Sequence, residues 1–111
     1  MQFLVCGYDG DDDEALERRM KVREAHLAHG DELWAQGNMV IAVALLDGDD
    51  RMVGSAIVVD FPTRDDVDRW LEREPYVVGD VWRRVEITPC RLGPRFADLP
   101  GPGQGQGENR G

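Results

Sequence analysis

Eight consecutive residues, Met39-Val40-Ile41-Ala42-Val43-Ala44-Leu45-Leu46, carry no polar side chain. Side chains of an extended strand alternate between two faces, so this run is apolar on both and has to be covered on both. Phe3 to Tyr8 repeats the situation, with apolar or neutral residues at both parities. A chain with two such strands needs a layer on each side of its sheet.

The segments between and after these runs say how much of that cover the chain supplies itself. From Glu14 to about Gln36 the helix formers Ala, Leu, Glu, Arg, Met and Lys dominate, and Gly37-Asn38 stands where a helix C-cap is expected. Gly30 lowers helix stability by about 1 kcal/mol relative to Ala, so a kink or break is expected near it. Asp47-Gly48-Asp49-Asp50 is turn chemistry joining 39–46 to a second strand that runs from about Met52 through Gly54-Ser55 to Phe61. Pro62-Thr63, with Asp66 three residues on, opens a short helix through a capping box. Val67, Trp70 and Leu71 give that helix its buried face, and Glu74-Pro75 ends it. Tyr76-Val77-Val78-Gly79 reads as a short apolar connection. Trp82 to Cys90 is the last strand, with Val85 and Ile87 on one face and Trp82, Arg84 and Glu86 on the other.

The order βαββαβ is the split βαβ pattern, a ferredoxin-like α+β fold with a four-stranded antiparallel sheet and both helices on one face. The other face is left bare. A homodimer packing sheet against sheet covers it, and places Trp82 or its same-face neighbours near the interface. The 111 residues suit one such domain, taken as 1–96, followed by a flexible Gly/Pro-rich tail over 97–111 whose apolar content is too low to offset the entropy of ordering it.

Thirteen Lys and Arg against 22 Asp and Glu give a net charge of -9, which repels phosphate backbones and anionic lipid surfaces. Neither nucleic acid nor a membrane is expected as a partner. There is no apolar run of the roughly 20 residues needed to span a bilayer, and the chain opens directly on a strand-like segment, so a cytoplasmic location is expected. Cys6 and Cys90 lack CxxC spacing and read as free thiols, too far apart for a bridge if they sit on adjacent antiparallel strands. The acidic run from Asp9 to Glu14 resembles a calcium loop only until its sixth position, Glu14 for Gly, and its twelfth, Met20 for Glu, are read. Acids there suit a helix N-terminus. With no GxGxxG, no GxxxxGK[ST] and no close His/Cys cluster, no cofactor and no metal are expected.

Chemistry concentrates in the long helix. Leu16, Met20, Arg23, Leu27 and Trp34 fall on one apolar stripe, flanked by Val22, His26, His29 and Leu33. Arg23 is a fixed cation inside that stripe, suited to hold a carboxylate or phenolate, or to pair with Glu74 or Glu86. His26, one turn on, suits general acid/base work, since an ordinary imidazole titrates near pH 6.5; packing at a helix edge is the alternative. His29 carries no such indication.

Arg23-x-x-His26-Leu27, Gly54-Ser55 at the start of the third strand, and Glu74-Pro75-Tyr76 followed by a glycine and a Val-rich last strand together resemble the YciI-like family of the dimeric α+β barrel group, over residues 1–92. The resemblance implies a candidate active site centred on the helix histidine and an acid, here His26 and Glu74. It also implies a likeness to dehydrochlorinases of chlorinated hydroxyquinones. Glu74 stands where the family has Asp, and Val43-Ala44 where Gly-Pro is frequent. By this resemblance His26 and Glu74 are catalytic, and Arg23, Ser55 and Tyr76 bind substrate, although the Tyr76 ring suits a core position equally. The expected activity is cofactor-independent acid-base elimination, isomerisation or hydrolysis on a small polar molecule, aromatic ones included. A non-catalytic ligand-binding or regulatory dimer, or a dimer serving mainly as an interaction protein, are the other readings.

Overall fold

A computed structural model describes residues 1–98. Most of the expected tail, from residue 99 on, lies outside the described residues. The elements follow the expected order: β1 (Gln2–Asp9), α1 (Ala15–Ala35), β2 (Met39–Leu46), β3 (Met52–Asp60), α2 (Arg64–Leu71), a one-turn α3 (Pro75–Val78) and β4 (Trp82–Cys90), then a 3-10 turn at Pro94–Phe96. The strands form one antiparallel sheet in the order β2-β3-β1-β4, the ferredoxin-like arrangement. No helix among the described residues is long and apolar enough to cross a membrane.

Local chemistry sets the ends of these elements. Gly37 takes φ +86°, and the bonds Gly37 N–H to Trp34 O and Asn38 N–H to Leu33 O close α1 in a Schellman motif. The helix runs unbroken through Gly30, whose backbone hydrogen bonds outweigh the glycine penalty. Thr63 and Asp66 form the full capping box of α2. The segment read as a plain connection is helical because Pro75 presets the first turn and the Glu74 side chain accepts the Tyr76 N–H at 2.7 Å.

The inner face of the sheet, with Phe3 and Val5 of β1 and Ile57 and Val59 of β3, packs against Leu33, Val67, Trp70, Leu71 and Tyr76 from the helices. Two assignments of face change. Arg19 and Leu33 are the buried residues of α1, while Met20 and Leu27 are 50% and 46% exposed. The stripe Arg19, Val22, His26, His29 and Leu33 therefore faces the core, and the stripe through Met20 and Leu27 lies at the edge of the helix–sheet contact. Arg19, His26 and His29 can face inward because partners on other elements, Asp9, Ser55 and Glu74, meet them there.

Trp82 is the second change. Asp9 pairs with Trp82 while Tyr8 pairs with Arg84, so an irregularity in the ladder turns Trp82 to the side of Val85 and Ile87. Its ring lies where a Cβ on Gly7 would stand, edge-on to Tyr76 and His26 and away from the bare face. Arg84 and Glu86 do lie on the outer face, with Leu4, Cys6, Tyr8, Ala56, Val58, Ile41 and Val43. Cys6 is opposite Glu86, four residues from Cys90, which puts about 13 Å between the thiol positions. Both cysteines are free.

Candidate active site

Glu74 is the pivot of the inner polar cluster. It is 1% exposed, yet it lies at the start of α3, so its carboxylate is carried into the core by a turn and not by a strand or long helix. His26 Nδ1 lies 2.9 Å from each carboxylate oxygen. A carboxylate only accepts hydrogen bonds, which assigns the Nδ1 proton to His26 and leaves Nε2 as the basic nitrogen. The Tyr76 N–H holds Oε2 from the other side, and His29 Nδ1 is 3.4 Å from Oε1.

The His26 ring stacks on the Tyr76 ring with centroids 3.9 Å apart and planes 12° from parallel. Arg19 places its guanidinium carbon 4.5 Å from the centroid of the same ring. Since Arg19 and His26 are two turns apart on α1, the phenol is held between a cation and an imidazole. Arg19 is itself 2% exposed: Nη1 donates to both oxygens of Asp9 at 3.0 and 3.1 Å, and Nη2 donates to Ser55 Oγ at 2.8 Å. With its oxygen accepting from Arg19, Ser55 keeps its hydroxyl proton to donate elsewhere.

Arg19, Arg23, His26, Ser55 and Tyr76 all line one cavity of about 380 Å³ between α1 and the β2–β3 side of the sheet. Its remaining wall is largely apolar, including Leu27, Trp34, Met39, Ala42, Ala44 and Ile57. The volume suits a single-ring molecule, with polar groups few and gathered at one end. Glu74 stands behind His26 and does not line the cavity. Burial pushes the Tyr76 phenol above its usual range, against the pull of Arg19 and Arg23, so it stays a neutral donor. Burial likewise pushes Asp9 up despite Arg19 beside it.

All five sequence-derived site residues thus meet: four at the cavity and Glu74 directly behind. Neither ion pair considered for Arg23 forms. Glu74 is taken by the histidines and Glu86 by Tyr8 and Arg84, and among the described residues Arg23 has no salt-bridge partner. The buried cation with a structural partner is Arg19, missed in the sequence together with the role of Asp9. The signal was present: Arg19, Val22, His26, His29 and Leu33 recur at three, four, three and four residues, the spacing of one helix face.

Residues 1–91 match the model of the YCII-related domain. The chain belongs to this family. The chain is similar to the Escherichia coli protein YciI, 30% identical over an alignment of 95 residues that covers 80% of this chain and 97% of that protein. An uncharacterized Haemophilus influenzae protein is 29% identical over 82 residues, covering 68% of this chain and 84% of its own length. Among solved structures the fold is similar to a 5-chloro-2-hydroxyhydroquinone dehydrochlorinase from Burkholderia phenoliruptrix, in complex with 2,5-dihydroxybenzoquinone. That likeness has a TM-score of 0.75 at 21% identity, over 86% of this chain and 98% of the other.

Proposed function

We propose that this YCII-related protein is a small cofactor-independent enzyme in which His26 moves a proton on a small oxygen-bearing ring compound. The observation that carries the reading is the contact of His26 Nδ1 with both oxygens of a buried Glu74, while the same imidazole lines the cavity. Glu74 fixes the ring and its tautomer, and Nε2 then accepts a proton from an O–H or C–H bond of the ligand. The electron pair left behind is held as an oxyanion by Arg23 and by the Tyr76 and Ser55 hydroxyls. It then either expels a leaving group, which is elimination, or is reprotonated at another atom, which is isomerisation.

The cavity polarity supports an oxyanion-forming ligand: Arg23, Tyr76 and Ser55 are all donors there. The Burkholderia neighbour supports a hydroxylated quinone or hydroquinone as the compound class to try first. Glu74 in place of the family aspartate reaches one methylene further, and contact at 2.9 Å supports its serving the same orienting purpose here. A separation of more than one water would instead have favoured a non-catalytic binding module. In this reading the protein works as a homodimer through its bare sheet face.

The test is turnover of a panel of hydroxylated, halogenated hydroquinones by the native chain and by His26→Ala. A loss of at least about 100-fold in kcat is expected for a general base. Equal turnover by a folded His26→Ala variant removes His26 from the chemistry. Saturable binding without turnover by either form favours the binding module.

A further inference from the structure

The Glu74 carboxylate faces two imidazoles. His29, one turn beyond His26 on α1, brings Nδ1 to 3.4 Å from Oε1, the oxygen that His26 Nδ1 also contacts at 2.9 Å. The two rings open on different spaces: His26 lines the main cavity, whereas His29 lines a separate small one of about 70 Å³ on the side of Trp70. His29 lies parallel to the Trp70 indole, with centroids 6.3 Å apart. One buried anion thus joins two titratable groups that face different spaces.

We propose that His29 is a positioning residue that competes with His26 for the charge of Glu74 and so sets how readily His26 takes up a proton. The inference rests on the acid-base reading of His26, but its central observable does not. Glu74 can accept at Nδ1–H of both rings, leaving Nε2 of each as the site of protonation. The first proton, on either ring, is stabilised by the carboxylate. The second meets a carboxylate already neutralised by a cation and is opposed. The pair therefore titrates as a coupled system.

The other charges facing the two rings differ. Glu32 and Arg73 line the small cavity with His29, with opposite effects on its protonation. Arg19, Arg23, Asp31 and Tyr76 line the main cavity with His26, and the charge of Arg19 is already paired with Asp9. A proton on His29 opposes one on His26, which then stays neutral and able to act as a base at lower pH than a lone His–Glu pair allows. In this way the outer imidazole protects the inner one from acid.

The chain has two histidines, so selective nitrogen-15 labelling gives one set of imidazole signals for each, and the native full chain is the sample. Both rings are expected to show two inflections, each ring reporting the other's protonation. In His29→Gln, which keeps a neutral donor toward Glu74, the His26 curve becomes a single simple titration and its midpoint moves to higher pH by about half a unit or more. Two independent single-site curves in the native chain overturn the proposal, and that result is available even if the variant does not fold. An unmoved His26 midpoint in a folded His29→Gln also overturns it. Where a substrate is in hand, the acid limb of the kcat/KM profile moves to higher pH in His29→Gln. If no substrate is turned over, the acid-base reading fails while the NMR titration still decides the coupling.

Discussion

Arg19 shows how one side chain frames a site without reacting in it. Its fork pairs with Asp9, reaches Ser55 and covers the Tyr76 ring, so it joins β1, β3 and α3 to the long helix. Removing one partner of a buried ion pair leaves the other charge uncompensated, and Arg19→Ala is expected to cost about 3–5 kcal/mol in a urea unfolding titration. Glu74→Gln probes the other side of the stack. It keeps the volume but removes the charge that orients the His26 Nδ1 proton, and a fall in kcat of about 100- to 10,000-fold is expected with the fold intact by circular dichroism. Glu74, Ser55 and Tyr76 entered through the family resemblance, whereas His26 and Arg23 were legible as candidates because their residue types stand out in the pattern of the long helix. Arg19 and Asp9 were not, since a cation among surface-like charges and an acid at a helix start both have ordinary explanations until the fold brings them together.

Among the elements, α2 and α3 matter because they deliver Glu74 to the core. The capping box at Thr63 starts α2, whose Val67, Trp70 and Leu71 bury one face and set where the chain turns at Glu74-Pro75. Thr63→Ala is expected to lower stability by about 1 kcal/mol, measured from the denaturation midpoint. Hydrogen bonds from Thr63 and Arg69 hold the Asp66 carboxyl below its usual range. A carboxyl whose folded value is depressed contributes stability above its unfolded value, near pH 3.9, that is lost as pH falls from there toward the lowered one. The native chain should therefore lose more stability between pH 6 and pH 3 than Thr63→Ala does. Element order, the long α1 and the short α2 could be read from periodicity and caps. The α3 turn could not, because four apolar residues carry too little pattern to separate a helical turn from a connection.

For the molecule as a whole, the outer face of the sheet is apolar and uncovered by either helix. Leu4, Ala56, Val58, Ile41 and Val43 share it, and Val43 and Ile41 are about half exposed. Covering it with a second copy is our reading of why β1 and β2 are apolar at both parities. Sedimentation of the native chain as a dimer is expected, with Val58→Glu shifting it to monomer; a native monomer at micromolar concentration would remove this reading. Strand periodicity, caps and charge by themselves determined the βαββαβ order and its single bare face, because each depends on residues near one another in sequence. Only the tertiary structure decided that Trp82 turns inward, that Arg19 and not Arg23 is the buried structural cation, and that Glu74 serves two histidines. Those outcomes depend on a shift in strand register and on contacts across 10 to 48 residues of chain, and no local pattern carries such information.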